Sequence, residues 1–366
     1  MVNIGLIGCG KIADRHLNAY RHLPGVEVAV FDVDLSAAQR RASEFNLEYC
    51  LTMDELLERP GLDAVDVCVP TPWHKETVIA ALQHRKHVFC EKPLAASPWE
   101  AEEIREALRC SGTQLAVGYP YRFYPAFQHV KQLLDDGIIG RPYLALFRLG
   151  GRGDAAAWKH RREDGGGAVL EMMVHELDLL IWFFGEITAT QLLFGDTLLP
   201  ERHINQQKVT ADAEDCVLAR LRAAGVEILC QSDLATPSYM NHIEILGDNG
   251  SIFSSMLHYL PTQVYCREPR GIYDRGATSR QFPIVNVFEL ELAHFVSALR
   301  AECDPINTID ESIHLLRVVD QLRGAADALM PAPFVPRRNG SNGHSGERHS
   351  LDSHGLGRLR DITDLA

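Results

Sequence analysis

The tripeptide Glu91-Lys92-Pro93 places a lysine directly after the strand-like run His87-Val88-Phe89-Cys90, with a proline fixing the backbone beyond it. In an open α/β sheet that position is a carboxyl edge, where ligands bind. An ammonium there is suited to hold a substrate hydroxyl and to favour its alkoxide as hydride leaves. The plain alternative is a surface lysine that opens a loop. An X–Pro bond at such a point can be cis where a tight turn demands it.

A second group of titratable residues follows Gly165-Gly166-Gly167, where the sequence reads as a helix over 168–184. At 100° per residue, Leu170, Val174, Leu177 and Ile181 form an apolar stripe facing the core. Glu171, His175, Asp178 and Trp182 fall within about 60° of one another on the neighbouring stripe. Three titratable groups and an indole bordering a buried face suggest a cleft wall. Histidine carries protons near neutral pH, and carboxylates one turn away can raise its pKa or orient its ring. An ion-pair ladder on the helix surface is one rival reading, and a metal site is another. With no His-Glu-x-x-His pairing and no second histidine at helical spacing, no metal is expected.

The third feature is Gly8-Cys9-Gly10-Lys11-Ile12-Ala13, a G-x-G-x-x-A run between a strand and a helix. The motif alone is common by chance, and its weight comes from that context. Gly8 permits the tight turn, Gly10 lets the backbone approach a pyrophosphate, and Ala13 allows close helix–strand packing. The helix N-terminus offers N–H groups and partial positive charge to phosphates, so Lys11 and Ile12 join the expected cradle. Asp32 closes the second strand, where a carboxylate accepts ribose hydroxyls and repels a 2′-phosphate. Val33 follows it and no basic residue appears until Arg40, which favours NAD over NADP. Asp34 is the competing acid, or a turn residue facing solvent.

Alternating elements must position these groups. Strands are expected at Val2–Ile7, Val26–Phe31, Asp63–Val69, His87–Cys90 and Gln114–Val117, with a short element near Tyr49. Helices fall between them: to about His22, Ser36–Phe45 with Ser36 as N-cap, from Thr52 with a capping box to Glu55, Lys75–His84 and Ser97–Cys110. The near-continuous apolar run at 63–69 reads as a strand buried on both faces, so the first half is a parallel, doubly wound sheet. After Gly118 the rhythm changes to a helix near Pro125–Leu134 and strands at 142–149, 187–194, 214–222, 226–234, 241–246 and 251–255. Helices return at 288–301 and 310–328. The expected organisation is a dinucleotide-binding domain over 1–120, an α+β domain with a mostly antiparallel sheet over 121–330, and a polar, flexible tail over 331–366.

Composition narrows the class. The 366 residues are 46% hydrophobic and 23% charged, ordinary for a globular protein with a sizeable core. With 36 basic and 49 acidic residues the formal charge is −13, which gives nucleic-acid binding no footing. No apolar run approaches the roughly 18 residues that span a bilayer. The chain opens directly on strand-like residues, so no signal peptide is expected, and the nine scattered cysteines read as free thiols of a reducing, cytoplasmic compartment.

Taken together these residues resemble the Gfo/Idh/MocA oxidoreductases, the glucose–fructose oxidoreductase and inositol dehydrogenase family. The likeness runs over about residues 1–330. It rests on the Gly8–Ala13 cradle, Thr71-Pro72 with His74, His87 through Pro93, Gly118-Tyr119-x-x-Arg122-Phe123-x-Pro125, and Gly165 through Asp178. The resemblance implies a Rossmann domain followed by an α/β domain whose open sheet mediates homodimer or homotetramer contacts. It implies that Lys92 and His175 carry proton chemistry beside Glu171, where the family commonly has Asp. It adds Pro70, Thr71, His74, Glu91 and Lys92 to the cofactor-binding set. Lys92, Tyr121, Arg122, Trp158, Glu171, His175 and Asp178 become the expected substrate-binding set. The expected reaction is NAD-dependent oxidation of a secondary hydroxyl on an inositol, aminocyclitol, aminoglycoside or nucleotide-sugar. Relatives that hydrolyse glycosides through transient oxidation, and non-catalytic NAD-binding regulators, are the alternatives. For a nucleotide-sugar, Arg148, Arg152, Lys159, Arg161 and Arg162 could form a phosphate site.

Overall fold

The computed structural model describes residues 1–151, 157–163, 166–204, 207–236 and 241–329. The first half contains β1 (Val2–Ile7), α1 (Lys11–Tyr20), β2 (Val26–Phe31), α2 (Leu35–Phe45), β3 (Glu48–Tyr49) and α3 (Met53–Leu57). It continues with β4 (Ala64–Val67), α4 (His74–Gln83), β5 (His87–Glu91), α5 (Pro98–Ser111) and β6 (Leu115–Gly118). All six strands pair in parallel in the order β3-β2-β1-β4-β5-β6. The order reverses between β1 and β4, which opens a crevice at their carboxyl ends. Helices cover both faces, so β4 is buried at every residue and its apolar run has no solvent side. Asp66 is the one charged residue within it.

The second half comprises α6 (Pro125–Asp135), β7 (Pro142–Gly150), α7 (Val174–Phe184), β8 (Ile187–Asp196), β9 (Glu201–Ile204), β10 (Gln207–Thr210) and β11 (Cys216–Ala223). Then come β12 (Val226–Asp233), β13 (His242–Gly247), β14 (Gly250–Ser254), β15 (Thr262–Cys266), β16 (Gly276–Arg280), α8 (Val287–Leu299) and α9 (Ile309–Leu329). Eight of these strands form one sheet, ordered β16-β15-β14-β13-β7-β12-β11-β8, and only its β7–β12 pair is parallel. In β11 and β12 burial alternates residue by residue, so one sheet face meets α7 and α9. α8 returns to pack on α1 of the first sheet.

Several local expectations need correction. α2 is capped by Asp34, not Ser36: the Asp34 carboxylate accepts the Ser36 N–H at 3.0 Å and its hydroxyl at 2.6 Å. Strands β9, β10, β15 and β16 were not anticipated. β16, Gly-Ala-Thr-Ser-Arg, is an exposed edge strand, so it carries no alternation to read. The helix expected over 168–184 begins instead as a π turn, Val169–Met173, before α7. None of the nine cysteines forms a disulfide; six are buried, Cys216 is half-buried, and Cys110 and Cys303 are exposed. The tail from 331, Arg152 and Gly165 lie outside the described residues.

Candidate active site

The glycine turn after β1 has two different reasons for its two glycines. Gly8 has φ +98°, and a Cβ there would stand 2.7 Å from the carbonyl carbon of Cys68, so the fold itself requires glycine. At Gly10 a Cβ would meet nothing within 4 Å, so protein packing imposes no such demand. A pyrophosphate drawn close to the turn would. α1 starts at Lys11 with no side-chain cap, which leaves its dipole and leading N–H groups suited to an anion. Ala13 is fully buried, Ile12 half-buried and Lys11 exposed. Asp32 lies beside the turn: Oδ2 accepts the Cys9 N–H at 2.7 Å and Oδ1 accepts the Asp34 N–H at 2.8 Å. With Asp34 engaged as a cap, Asp32 is the acid that fits a ribose. These features suit a dinucleotide.

Pro70 and Thr71 lead into a single 3-10 turn after β4. His74, expected at the cofactor, is buried and used elsewhere. Its Nδ1 lies 2.7 Å from the Pro93 carbonyl and its Nε2 2.9 Å from that of Val69. The ring thus ties the segment after β4 to the segment after β5. Glu91, also expected at the cofactor, turns inward: Oε1 is 2.9 Å from His16 Nε2, and Oε2 accepts the Lys92 N–H at 3.2 Å.

Lys92 follows β5, and the Lys92–Pro93 peptide is cis. Its Nζ donates to the Glu171 carbonyl at 3.4 Å and stands 3.7 Å from Glu171 Oε2. Lys159, from a 3-10 turn at Ala157–His160, places its Nζ 2.6 Å from the same oxygen. The Glu171 carboxylate, almost wholly buried, is therefore shared by two ammonium groups, which offsets the cost of removing it from water. The Lys159 ammonium also lies 5.4 Å from the ring centre of Trp158, a half-exposed indole at the rim.

His175 stacks on Tyr121 with ring centres 4.4 Å apart and an interplanar angle of 21°. Its Nδ1 is buried and has no hydrogen-bond partner among the described residues. Burial, then the charges of Lys92 and Lys159, hold its pKa well below the usual imidazole range. Neutral at physiological pH, the ring can accept a proton. Of the two effects expected of neighbouring carboxylates, raising the pKa or orienting the ring, the first is reversed. Glu171 serves the lysines, and the charges that shift His175 are cations from distant segments.

Arg122 and Asp178 were expected to meet substrate but meet each other. Arg122 Nε donates to both Asp178 oxygens at 3.0 Å and Nη2 to Oδ1 at 2.7 Å, with both side chains buried. Arg122 Nη1 also donates to the Ile306 carbonyl at 2.8 Å, and the guanidinium lies over Trp182. The pair joins the segment after β6 to α7 and to the approach of α9.

Lys159 and His16 were missed as site residues. In the sequence Lys159 stands out only as one of a basic cluster suited to phosphate. The signal for His16 was present: it shares the apolar stripe of α1 with Ala13, Leu17 and Tyr20, and Asp66 interrupts an apolar strand. A buried acid needs a partner. His16, Asp66 and Cys68 place one polar atom each within 4.8 Å of the others. Burial, reinforced by Asp66, drives the Cys68 thiol far above its usual pKa.

Residues 2–119 match the oxidoreductase family with an NAD-binding Rossmann fold, and residues 127–253 match the GFO/IDH/MocA C-terminal domain. An inositol 2-dehydrogenase of Acidothermus cellulolyticus is 35% identical over 69% of this chain and 72% of its own. A myo-inositol 2-dehydrogenase of Thermotoga maritima is 28% identical over 75% and 80%. Among solved structures, levoglucosan dehydrogenase in complex with NADH superposes with a TM-score of 0.80 at 23% identity, covering 89% of this chain and 97% of that one. UDP-N-acetylglucosamine 3-dehydrogenase from Acidithiobacillus ferrooxidans gives 0.75 at 19% identity over 89% and 98%. The family matches take in most of both sheets, so the chain belongs to the Gfo/Idh/MocA family and is an NAD-binding oxidoreductase acting on a CH–OH group.

Proposed function

We propose that the protein oxidises a secondary ring hydroxyl of a cyclitol or sugar to a ketone, with Lys92, Glu171 and His175 handling the proton. The convergence of Lys92, Glu171, Lys159 and neutral His175 beyond the carboxyl edge of the first sheet carries this reading. Bound NAD supplies the hydride acceptor. The α1 N-terminus, the Gly8–Gly10 backbone and Asp32 would hold it. Lys92 donates to the reacting hydroxyl and stabilises the developing alkoxide. His175 takes the proton, which its depressed pKa leaves it free to do. Glu171 holds the lysine amines in place, and Tyr121 fixes the imidazole plane. Trp158, half-exposed, gives a ring face on which the C–H surface of a polyol can rest.

A cyclitol is the favoured substrate class. The 35% relative acts on inositol by its name, and the cluster presents alternating donors and acceptors, as a ring of hydroxyls requires. An amino-bearing cyclitol or aminoglycoside is the variant that the overall negative charge admits. The cytoplasm as its location, and a homodimer or homotetramer as its assembly, belong to the same reading. Inositols, aminoglycosides and nucleotide-sugars are scored for NADH formation by the NAD-saturated protein. NADH from an inositol or aminocyclitol, lowered about a hundredfold or more by His175→Ala with NAD affinity retained, is the expected result. Full turnover by that variant removes His175 as the base. Release of a free sugar without NADH accumulation would overturn net oxidation.

A further inference from the structure

The network beneath Lys92 has no place in the chemistry above, yet it is the most completely buried charged assembly of the first domain. His16 has no exposed surface, and neither has Asp66. His16 Nδ1 lies 2.8 Å from Asp66 Oδ2, and Nε2 lies 2.9 Å from Glu91 Oε1. The ring is wedged between Phe89, edge-on at 5.7 Å, and Phe288 at 5.8 Å, so it has little freedom to turn. Glu91 Oε2 then accepts the main-chain N–H of Lys92 at 3.2 Å.

We propose that His16 is a positioning residue for Lys92, an imidazolium that clamps Glu91 between α1 and the turn carrying the amine. Hydrogen counting points to the charged ring. A neutral imidazole has one N–H and would leave its other nitrogen facing a carboxylate lone pair to lone pair. An imidazolium donates to both. It also compensates the buried carboxylates of Asp66 and Glu91, the second of which the Lys92 charge helps to hold ionised. Burial alone would lower the His16 pKa, but Asp66 and Cys68 outweigh it and hold it well above the ordinary range. Tyr20, Cys90 and Glu291 face the same pocket; burial raises the pKa of all three, which disfavours a charge on any of them. The clamp also explains why Glu91 points inward. Its carboxylate joins α1, the helix that faces the dinucleotide phosphates, to the residue that contacts the hydroxyl. One side-chain relay thus sets the spacing between cofactor and amine.

The inference rests on the reading of Lys92 as a hydroxyl ligand, and its test separates the two. Asparagine at 16 can reproduce the Nδ1 contact to Asp66 but not the Nε2 contact to Glu91, whereas glutamine reaches Glu91. With NAD saturating, trace acetylation read by mass spectrometry reports Lys92 reactivity without any substrate. His16→Asn is expected to raise Lys92 labelling severalfold relative to Lys86, and His16→Gln to restore it. With a substrate found in the panel, His16→Asn is expected to lower kcat by about tenfold or more while KM changes little, again rescued by glutamine. Equal labelling in wild type, His16→Asn and His16→Gln overturns the clamp, and so does equal loss in both variants, which marks a purely structural histidine. Should His16→Asn not fold, imidazole ¹⁵N shifts of the wild type decide: two protonated nitrogens at neutral pH support the bridge, and one overturns it. Lys92→Ala in the same assays tests the parent reading. Full turnover by that variant sinks the role of Lys92, whereas its inactivity beside a fully active His16→Asn sinks only the clamp.

Discussion

The ammonium of Lys159 stands 2.6 Å from Glu171 Oε2, nearer than the 3.7 Å between that oxygen and Lys92. The amine closest to the acid therefore comes from a loop rather than from the Glu-Lys-Pro turn. Lys159 is also one of two cations that depress the pKa of His175. In Lys159→Met the imidazolium loses a repelling charge, so its pKa rises. Oxidation needs the neutral ring and is lost as pH falls through that pKa. The acidic limb of kcat/KM against pH is thus expected to move to higher pH by roughly half a unit or more. An unmoved limb would show that His175 does not set it.

Glu171→Asp tests why this chain carries the longer acid. Removing one methylene retracts the carboxylate by roughly an ångström. The 2.6 Å contact to Lys159 should break, while the loose contact to Lys92 can be kept by a small rotamer change. We expect kcat/KM to fall about tenfold, with the fall abolished in the Lys159→Met background, because both changes remove one contact. Additive losses would mean that Glu171 acts independently of Lys159.

On the proposed reading, cofactor choice depends on Asp32. Its two oxygens already hold backbone N–H groups, which fixes the carboxylate beside the cradle and leaves lone pairs for hydroxyls. Val33 is 92% exposed, so an arginine fits there without repacking. Asp32→Ser with Val33→Arg is expected to lower kcat/KM for NAD by about tenfold or more and to raise it for NADP. Unchanged preference would place the determinant elsewhere.

The Arg122–Asp178 pair predicts a stability effect with a defined pH dependence. Burial pushes Asp178 up to about 6 even though Arg122 pulls it down. Arg122→Met leaves a buried, uncompensated carboxylate and should cost about 3 kcal/mol or more. In the variant the folded-state pKa of Asp178 rises further above its unfolded value. The folded state then binds more protons than the unfolded state, so stability falls as pH rises. The melting deficit should therefore be larger near about pH 8 than near about pH 5. A deficit independent of pH would point to lost packing on Trp182 instead.

Much of the first domain could be read from the chain because its strands are buried on both faces and bounded by glycine turns and caps. β1 and β2 fall on their expected residues, and β4 and β5 lie within two residues of theirs. The second sheet was legible where one face is buried, as in β11 through β14. It was illegible in the edge strand β16 and in β9 and β10, which pair in a separate two-stranded sheet, all mostly exposed; β15 alternates in burial and has no such reason for being missed. At the site, the positions of Lys92 and His175 followed from a strand end and a helix face, and their joint role from the family resemblance. The partners did not, because Lys159 reaches Glu171 from an irregular loop, and Arg122 finds Asp178 across 56 residues. Periodicity reports which face of an element is covered, not which distant charge arrives there.

The π turn at Val169–Met173 makes this stretch sensitive to length in a way that substitutions would not reveal. Dropping one residue, for instance Met172, would let the backbone relax into uniform α-helical winding. Everything upstream, including the indole and amine at 158 and 159, would then be swung around the axis of α7, while His175 stayed put. Outside Glu171, variants of this protein can therefore exchange side chains along that span, but a single-codon deletion should silence turnover even if the chain still folds.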